Sequence, residues 1–234
     1  MTSEIRRVGV VIPAHNEERH LSDCLAALQR AVRLVPHPVS VLVVLDNCSD
    51  SSQDRCRQAG VNTLTISAAN VGSARAAGFR ALIGQDPDPA TVWLASTDAD
   101  TRVEPNWLRH QLHLARRGAD VVLGVVRLDG HTVSSELRRA FDLDYQKQLF
   151  HDGSHNHVHG ANLGLRASVY LRAGGFPPAP NHEDKHLVQR LRRTPGVTIQ
   201  PTQQLAVSTS GRLQSHCDHG FAATLAALDT PTGT

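Results

Sequence analysis

Two pairs of acidic residues in this chain have the side-chain type and the spacing that a catalytic or metal-binding site needs. In the first, one residue separates Asp98 from Asp100 directly after an apolar run, a spacing that can project both carboxylates to one side. Two carboxylates held close repel each other unless a cation or a proton lies between them. Their oxygens suit Mg²⁺ or Mn²⁺, which usually keep positions open for phosphate oxygens. The pair therefore favours a divalent metal site, although acidic residues also cap helices.

The second pair, Glu183 and Asp184, opens a predicted amphipathic helix over Glu183–Arg193. Acidic residues at a helix N-terminus compensate the helix dipole, so this pair has a structural explanation when it is taken alone. A role in chemistry depends on the elements that would bring it near the first pair.

Those elements alternate regularly over the first half of the chain. Apolar runs predict strands at residues 8–12, 39–45, 62–66, 91–96 and 120–126, with helical spacing between them. This order implies an α/β fold with right-handed crossovers and a mainly parallel sheet. The alternation ends near residue 130, and after it we predict helices at 134–150 and 220–228, a His-rich loop at 151–159 and short strands at 161–165, 197–200 and 205–208. We predict one domain over residues 1–234, with a first half at about 5–127 and a second at about 128–228.

Polar residues follow four successive predicted strands. In open α/β sheets ligands bind beyond the carboxyl ends of the strands, where packing does not demand polar side chains. The residues at these ends include His15, Glu17, Asp46, Asn70, Arg75, Asp98 and Asp100. No dinucleotide-binding glycine motif and no P-loop motif occurs, which argues against a dinucleotide-dependent dehydrogenase and a P-loop enzyme.

Composition excludes further classes. Lys and Arg number 24 against 22 Asp and Glu among 234 residues, a balance too near neutral to favour a nucleic-acid partner. No apolar stretch reaches the ~18 residues of a membrane span. The four cysteines have neither C-x-x-C spacing nor the density of a disulfide scaffold. We expect a soluble protein of a reducing compartment, the cytoplasm.

Taken in order, six short motifs resemble the series found in family 2 glycosyltransferases with the GT-A fold. The motifs are Pro13-Ala14-His15-Asn16-Glu17, Asp46-Asn47-Cys48-Ser49-Asp50, Asn70-Val71-Gly72, Asp98-Ala99-Asp100, Gly160-Ala161-Asn162 with Gly174-Gly175-Phe176, and Glu183-Asp184. The resemblance runs from about residue 8 to 193, and its specificity comes from the order of the motifs. It implies a GT-A fold, with a mainly parallel central sheet flanked by helices and a smaller C-terminal part on the acceptor side.

The resemblance also assigns roles. It implies that Asp98 and Asp100, the D-x-D pair, hold the metal and the donor diphosphate, with Asp100 the preferred direct ligand. It also implies that Asp184 is the catalytic base, with Glu183 as its neighbour. It implies a donor site for the base, ribose and diphosphate of a nucleotide sugar, formed by Pro13, Ala14, His15, Glu17, Asp46, Asn70, Gly72, Arg75 and Asp98. It implies an acceptor pocket bordered by Gly160, Ala161, Asn162 and Gly175.

The roles of Arg75, of two C-terminal histidines and of Arg212 are open. Many relatives carry a basic residue in the Asn-x-Gly-x segment, where this chain has Ser73 and Ala74, so Arg75 is the nearest cation and a solvated helix surface is its alternative. A C-terminal histidine completes the metal shell in some GT-A enzymes, and His216, slightly ahead of His219, is the candidate. Arg212 could bind a phosphate in bidentate fashion or simply be surface charge.

The implied activity is a metal-dependent, inverting hexosyltransferase that uses Mg²⁺ or Mn²⁺. Its partners would be a UDP- or GDP-linked sugar and a small hydroxyl acceptor, with no nucleic acid, no membrane span and a possible homodimer. Two alternatives remain open at this point. One is a nucleotidyltransferase on a related α/β sheet, and the other is a non-catalytic module that binds sugar nucleotides.

Overall fold

A computed structural model describes residues 3–84, 86–129, 133–213 and 221–229. The strands are β1 (Arg7–Ala14), β2 (Val39–Asp46), β3 (Asn62–Ile66), β4 (Val92–Ser96), β5 (Thr101–Val103), β6 (Val121–Leu128), β7 (Leu163–Arg166) and β8 (Ile199–Thr209). The helices are α1 (Leu21–Val32), α2 (Ser52–Gln58), α3 (Val71–Ile83), α4 (Trp107–Arg116), α5 (Ser135–Gln146), α6 (Ala167–Arg172), α7 (Glu183–Arg193) and α8 (Phe221–Leu228). Short 3₁₀ turns lie at Pro89–Thr91 and Gly160–Asn162.

All eight strands form one sheet in the order β3-β2-β1-β4-β7-β6-β8-β5. Strands β1, β2, β3 and β4 pair in parallel, as do β6 and β8, whereas β7 is antiparallel to both β4 and β6 and β5 is antiparallel to β8. The chain is thus a mixed α/β fold with a mainly parallel central sheet flanked by helices, as predicted. Strand β7 lies between β4 and β6, so the second half of the chain completes the sheet that the first half begins.

The sheet is buried on both faces, which explains the continuous apolar runs of β2 and β4. One core packs α1 and α4 against the sheet, with Leu25 and Trp107 fully buried in it. The other core packs α3, α6 and α7, and Phe79 and Leu187 are fully buried there. Among the described residues, no helix combines the length and the apolar character needed to cross a membrane.

Two strand predictions need correction. The predicted short strands at 197–200 and 205–208 are parts of the single strand β8, whose pairing with β6 shifts register between Leu123 and Val125. Pro201 lies inside β8, and a proline in a run normally argues against a central strand. Strand β5 was not predicted, because three residues are too few to show alternation.

Candidate functional site

The carboxyl ends of β1 and β2 are joined by hydrogen bonds between the loops that follow them. The N–H of Glu17 donates to Ser52 Oγ over 2.9 Å, and the N–H of Ser49 donates to Asn16 Oδ1 over 2.8 Å. Asn16 and Asn47 both adopt the left-handed conformation, with φ of 55° and 51°. Asparagine tolerates this conformation better than most residues, so these turns are tight but accessible to the local sequence.

Asp46, at the end of β2, organises the loop between β3 and α3. Its Oδ1 accepts hydrogen bonds from the N–H groups of Ala68 and Ala69 over 2.8 and 2.9 Å, and its Oδ2 accepts one from Asn70 over 2.9 Å. Ala69 is held at φ 48°, a conformation that alanine rarely adopts. The buried carboxylate therefore fixes the loop that leads into α3.

The same loop receives the segment that precedes α7. The Asn70 side chain caps α3 by accepting from the Ser73 N–H over 2.7 Å, and its Nδ2 donates to the Ala179 carbonyl over 2.8 Å. A Cβ at Gly72 would collide with the carbonyl oxygen of Pro177. Glycine at this position lets the start of α3 approach the chain just before the E-D pair, defined as Glu183 and Asp184.

Arg75 connects the two acidic pairs of the sequence. Its Nη2 donates to Asp98 Oδ1, its Nη1 donates to Glu183 Oε1, and its Nε donates to Ser96 Oγ over 3.1 Å. The residue is only 3% exposed, so the alternative of a solvated arginine on the helix surface is wrong. Residues that the sequence separates by 85 positions thus meet at one guanidinium.

Charge and burial oppose each other in this group. Burial by itself would lower the pKa of Arg75, but the carboxylates of Asp98 and Glu183 raise it above the ordinary value. Burial raises the pKa of Glu183, although the charge of Arg75 acts in the other direction. A buried ion pair of this kind depends on both partners, because removing one leaves the other charge uncompensated.

Asp184 lies beside the 3₁₀ turn of the Gly160–Asn162 segment. Its Oδ2 accepts from the Gly160 N–H over 2.8 Å, and its Oδ1 accepts from the Lys185 N–H over 2.7 Å. The preceding His182 adopts the left-handed conformation with φ 59° where α7 begins. A Cβ at Gly160 would lie 2.5 Å from Cζ of Arg75, so the turn that holds Asp184 also packs directly on the arginine.

A second arginine reaches the D-x-D pair, Asp98 and Asp100, from the chain after β8. Arg212 binds Glu17 in bidentate fashion over 2.9 and 2.5 Å, and its Nη2 lies 3.1 Å from Asp100 Oδ2. Burial raises the pKa of Asp100 to about 6, Arg212 acts to lower it, and the charges of Asp98 and Glu17 add to the rise. Arg212 is therefore part of the site, and the alternative of plain surface charge does not hold.

This arrangement fits a divalent cation. Asp98 Oδ1 pairs with Arg75 and Asp100 Oδ2 pairs with Arg212, while Asp100 Oδ1 accepts a long hydrogen bond of 3.5 Å from Thr101 Oγ1. The ionisable groups of the site are mostly acidic: two guanidiniums face the carboxylates of Glu17, Asp98, Asp100, Glu183 and Asp184. Mg²⁺ commonly uses one or two carboxylates and completes its shell with water and phosphate. Within the described ranges there is no cluster of three or more His, Cys, Asp or Glu side chains that could hold a metal ion.

Two predicted acceptor residues have other surroundings. Asn162 has no exposed area: its Oδ1 accepts from Trp107 Nε1, and its Nδ2 donates to the carbonyls of Val125 and Leu205, each over 2.8 Å. Its amide is thus part of the interior and does not line a pocket. The amide fits there because residue 124 is glycine, and a Cβ at that position would collide with it. Gly175, with φ 70°, is buried against the Tyr170 hydroxyl.

The end of the His-rich loop packs on α5. The ring of His157 stacks on Tyr145 with centroids 3.6 Å apart, and Tyr145 Oη hydrogen bonds to His159 Nε2 over 2.9 Å. Burial lowers the pKa of His159 to about 3, and it also lowers the pKa of His157. These histidines adjoin Gly160, so neutral, ordered rings neighbour the turn that holds Asp184.

The remaining candidate histidines are His15, which the structure describes, and two near the C-terminus. His15 Nδ1 lies 2.6 Å from the Asp46 carbonyl, which places it at the junction of the β1 and β2 loops. His216 and His219 lie outside the described residues. The motifs of the sequence did not indicate Ser96 or the bridging position of Arg75. The signal was present, because Gly72, Arg75 and Phe79 recur at helical spacing on the buried face of α3.

Comparisons with known proteins identify a family and a shared fold. The family model described as Glycosyl transferase family 2 matches residues 9–172, which is more than half of the chain. A search of curated proteins finds no match.

Solved structures share the fold at low sequence identity. S. aureus TarS in complex with UDP-GlcNAc has a TM-score of 0.61 and 13% identity, covering 92% of this chain and 61% of its own. The mannosyltransferase PcManGT from Pyrobaculum calidifontis, in complex with GDP-Man and Mn²⁺, has a TM-score of 0.64 and 17% identity, covering 92% and 59%. Glucosyl-3-phosphoglycerate synthase from Mycobacterium tuberculosis, with Mg²⁺ and UDP, has 0.56 and 16%, covering 88% and 70%. This chain therefore spans about 60% of the length of the TarS fragment 1–349 and of PcManGT, and 36% of a longer TarS chain.

Proposed function

Because the chain belongs to glycosyl transferase family 2, we propose that it transfers a sugar from a nucleoside diphosphate donor to a hydroxyl group, inverting the anomeric carbon. The observation that carries this proposal is the meeting of Asp98 and Glu183 at Arg75. It brings the D-x-D pair and the E-D pair into one site, as a single displacement at one carbon requires.

Asp184 is the proposed catalytic base. Two backbone N–H groups, those of Gly160 and Lys185, hold its carboxylate in a fixed orientation. In the proposed reaction the acceptor hydroxyl oxygen bonds to the anomeric carbon and its proton passes to Asp184. The bond from that carbon to the diphosphate oxygen breaks, and the nucleoside diphosphate leaves with the electron pair.

Asp98 and Asp100 are the proposed holders of a divalent cation, Mg²⁺ or Mn²⁺. When bound, such an ion would neutralise charge on the departing diphosphate. The carboxylate excess of the site supports this assignment, and so do the PcManGT and glucosyl-3-phosphoglycerate synthase structures, which contain Mn²⁺ and Mg²⁺. His216 stays a prediction as a further ligand. Arg212, with 37% of its side chain exposed, could turn from the carboxylates to the diphosphate.

The donor site is proposed at the β1, β2 and β3 loops. Pro13 and Ala14 are the last residues of β1, and His15 and Glu17 follow it. Asp46, Asn70 and Gly72 shape the entry to α3. TarS and PcManGT were solved with UDP-GlcNAc and GDP-Man, which supports a UDP- or GDP-linked donor without choosing between them. A small hydroxyl acceptor beside Gly160 and Ala161, a homodimer and a cytoplasmic location stay predictions from the sequence.

Product analysis tests this proposal against its alternatives. The purified chain is incubated with UDP- and GDP-sugars and Mn²⁺, with and without a mixture of soluble hydroxyl compounds, and nucleotides are separated by chromatography. A glycosyltransferase releases nucleoside diphosphate, through transfer or slow hydrolysis. In a parallel incubation with a nucleoside triphosphate and a sugar phosphate, release of pyrophosphate would instead identify a nucleotidyltransferase. Donor binding by calorimetry without any turnover would indicate a binding module.

A further inference from the structure

We propose that Arg75 is a positioning residue that couples the D-x-D pair to the E-D pair, so that a change of charge in one pair alters the other. The proposal rests on the proposed function, which gives the two pairs their roles of metal ligands and base. It differs from the donor contact predicted for Arg75 from the sequence.

Burial places Arg75 beneath the site. The arginine side chain is 3% exposed and that of Glu183 is 7% exposed, whereas the Asp98 side chain is 34% exposed. Of these three groups only Asp98 can therefore meet a ligand from solvent. Arg75 acts on a ligand through Asp98, because its own nitrogen atoms already bind Asp98, Glu183 and Ser96.

Two separate contacts link Arg75 to the proposed base. The first is the ion pair with Glu183, which immediately precedes Asp184 in α7. The second is the packing of the guanidinium on Gly160, whose N–H donates to Asp184 Oδ2. The ring of Phe176, 5.8 Å from Cζ, covers the guanidinium further. A shift of Arg75 would therefore displace Glu183, which precedes Asp184 in the chain, and Gly160, which donates a hydrogen bond to it.

One guanidinium is shared between two carboxylates, which makes the coupling reciprocal. If Glu183 loses its charge, the whole positive charge of Arg75 acts on Asp98 and should weaken cation binding there. If Arg75 is removed, both carboxylates become uncompensated and a cation should bind more tightly. Loss of a second-shell partner by itself weakens metal binding. For Arg75 we expect the opposite sign, because removing its positive charge also removes a direct repulsion of the cation.

The experiment titrates MnCl₂ alone into the full chain by isothermal calorimetry. Arg75→Met is expected to lower the Mn²⁺ dissociation constant by about tenfold, and Glu183→Gln to raise it by about tenfold. In an Arg75→Met background, Glu183→Gln is expected to have a smaller effect, since the link is absent. Glu183 would thus influence a metal that it does not touch.

Kinetics with an active donor separates positioning from donor binding. Each single variant is expected to lower kcat by about ten- to a hundredfold while the donor KM changes by less than about threefold. A raised donor KM with unchanged kcat in Arg75→Met would overturn the proposal, because it would make Arg75 a donor contact.

Arg166 provides the matched control. It is 4% exposed and pairs with Asp120 at the opposite edge of the sheet, where β7 meets the start of β4. Arg166→Met and Asp120→Asn are expected to change neither the Mn²⁺ affinity nor the ratio of kcat to KM. If Arg75→Met matches Arg166→Met in losing only thermal stability, Arg75 is purely structural and the proposal fails. Should Arg75→Met not fold, Glu183→Gln decides, since an unchanged Mn²⁺ affinity overturns the coupling.

The Mn²⁺ titrations need no turnover. A failure of the proposed function therefore appears in the donor assay, and a failure of the Arg75 proposal appears in the titrations.

Discussion

The protein buries one arginine at each end of the parallel strands, and the two have contrasting partners. We call the side where strands β1 to β4 begin the amino edge and the side where they end the carboxyl edge. At the amino edge, Arg166 donates to the carbonyls of Ser3, Ala90 and Ala115, and it approaches one carboxylate, Asp120. At the carboxyl edge, Arg75 has two carboxylates and a hydroxyl as its described partners.

The difference shows how each edge is used. Backbone carbonyls carry no titratable charge, and Arg166 joins those of three separate segments, so it serves to hold segments of chain together. Carboxylates can bind a cation or a proton, so the partners of Arg75 can respond to a ligand. The molecule therefore keeps its stabilising arginine and its responsive arginine at opposite ends of the same strands.

The largest effect is expected for Asp184→Asn. Loss of the base should lower kcat by about 10²- to 10⁴-fold, because an amide cannot take the acceptor proton. The amide oxygen can still accept the Gly160 hydrogen bond, but the hydrogen bond from the Lys185 N–H is lost, so the melting temperature should fall only slightly. Steady-state kinetics and thermal unfolding measure both quantities, with Asp54→Asn on exposed α2 as the control. An unchanged kcat in Asp184→Asn would show that Asp184 is not the catalytic base.

The amino edge should show the opposite pattern. Arg166→Met removes the side-chain donor to the carbonyls of Ser3, Ala90 and Ala115 and leaves Asp120 without its ion-pair partner. We expect the free energy of unfolding to fall by about 3–5 kcal/mol. Turnover per folded molecule should stay unchanged. Denaturant titration followed by an activity assay on the folded fraction checks this. A fall in turnover equal to that of Asp184→Asn would mean that the two edges are not separate in function.

Asp100→Asn should weaken metal binding and strengthen the fold. We expect the Mn²⁺ dissociation constant to rise by about tenfold or more. Burial raises the pKa of Asp100 to about 6, above its ordinary value, so ionisation of this group destabilises the folded chain as pH rises through that range. Without metal at pH 7, the variant should melt about 2–4 °C higher than the wild type. A lower melting temperature would show that the ion pair with Arg212 outweighs the burial.

The smallest effect concerns pH and the His-rich loop. Burial lowers the pKa of His159 to about 3, so its neutral form favours the folded state fully above about pH 6.5, its value in an unfolded chain. As pH falls below that value, this contribution is lost at up to about 1.4 kcal/mol per pH unit. Thermal melts from pH 7.5 to 5 should show a shallower decline for His159→Gln than for the wild type. The exposed His151→Gln should follow the wild type, and equal slopes for all three proteins would contradict the assignment.

The sequence predicted much of the fold because its parallel strands are buried on both faces. Continuous apolar runs such as those of β2 and β4 cannot be mistaken for loops, and regular alternation with helices then favours an α/β sheet. It could not predict β5, which has three residues, or an unbroken β8, because Pro201 interrupts the pattern. The position of β7 between β4 and β6 depends on long-range pairing that local patterns do not encode.

The site was predictable in its residues and less so in their contacts. The spacing of Asp98 and Asp100, and of Glu183 and Asp184, was visible in the sequence, but their bridge through Arg75 joins positions 23 and 108 residues away from the arginine. Asn162 was placed at the acceptor pocket, and the structure shows its amide in the interior instead. Its hydrogen bonds to Val125 and Leu205 form only once β6 and β8 pair, so no local signal could have indicated them.

A Mn²⁺ titration followed by ¹H–¹⁵N NMR is the most direct test that both acidic pairs belong to one site. Paramagnetic Mn²⁺ broadens the amide signals of nearby residues, while Mg²⁺ at the same concentration does not. We expect early broadening at Asp98, Gly160 and Asp184, with Gly118 and Gly196 at the far edge unaffected, and no such selectivity in Asp100→Asn. Broadening confined to Asp98 and its sequence neighbours, leaving Gly160 and Asp184 sharp, would contradict a shared site.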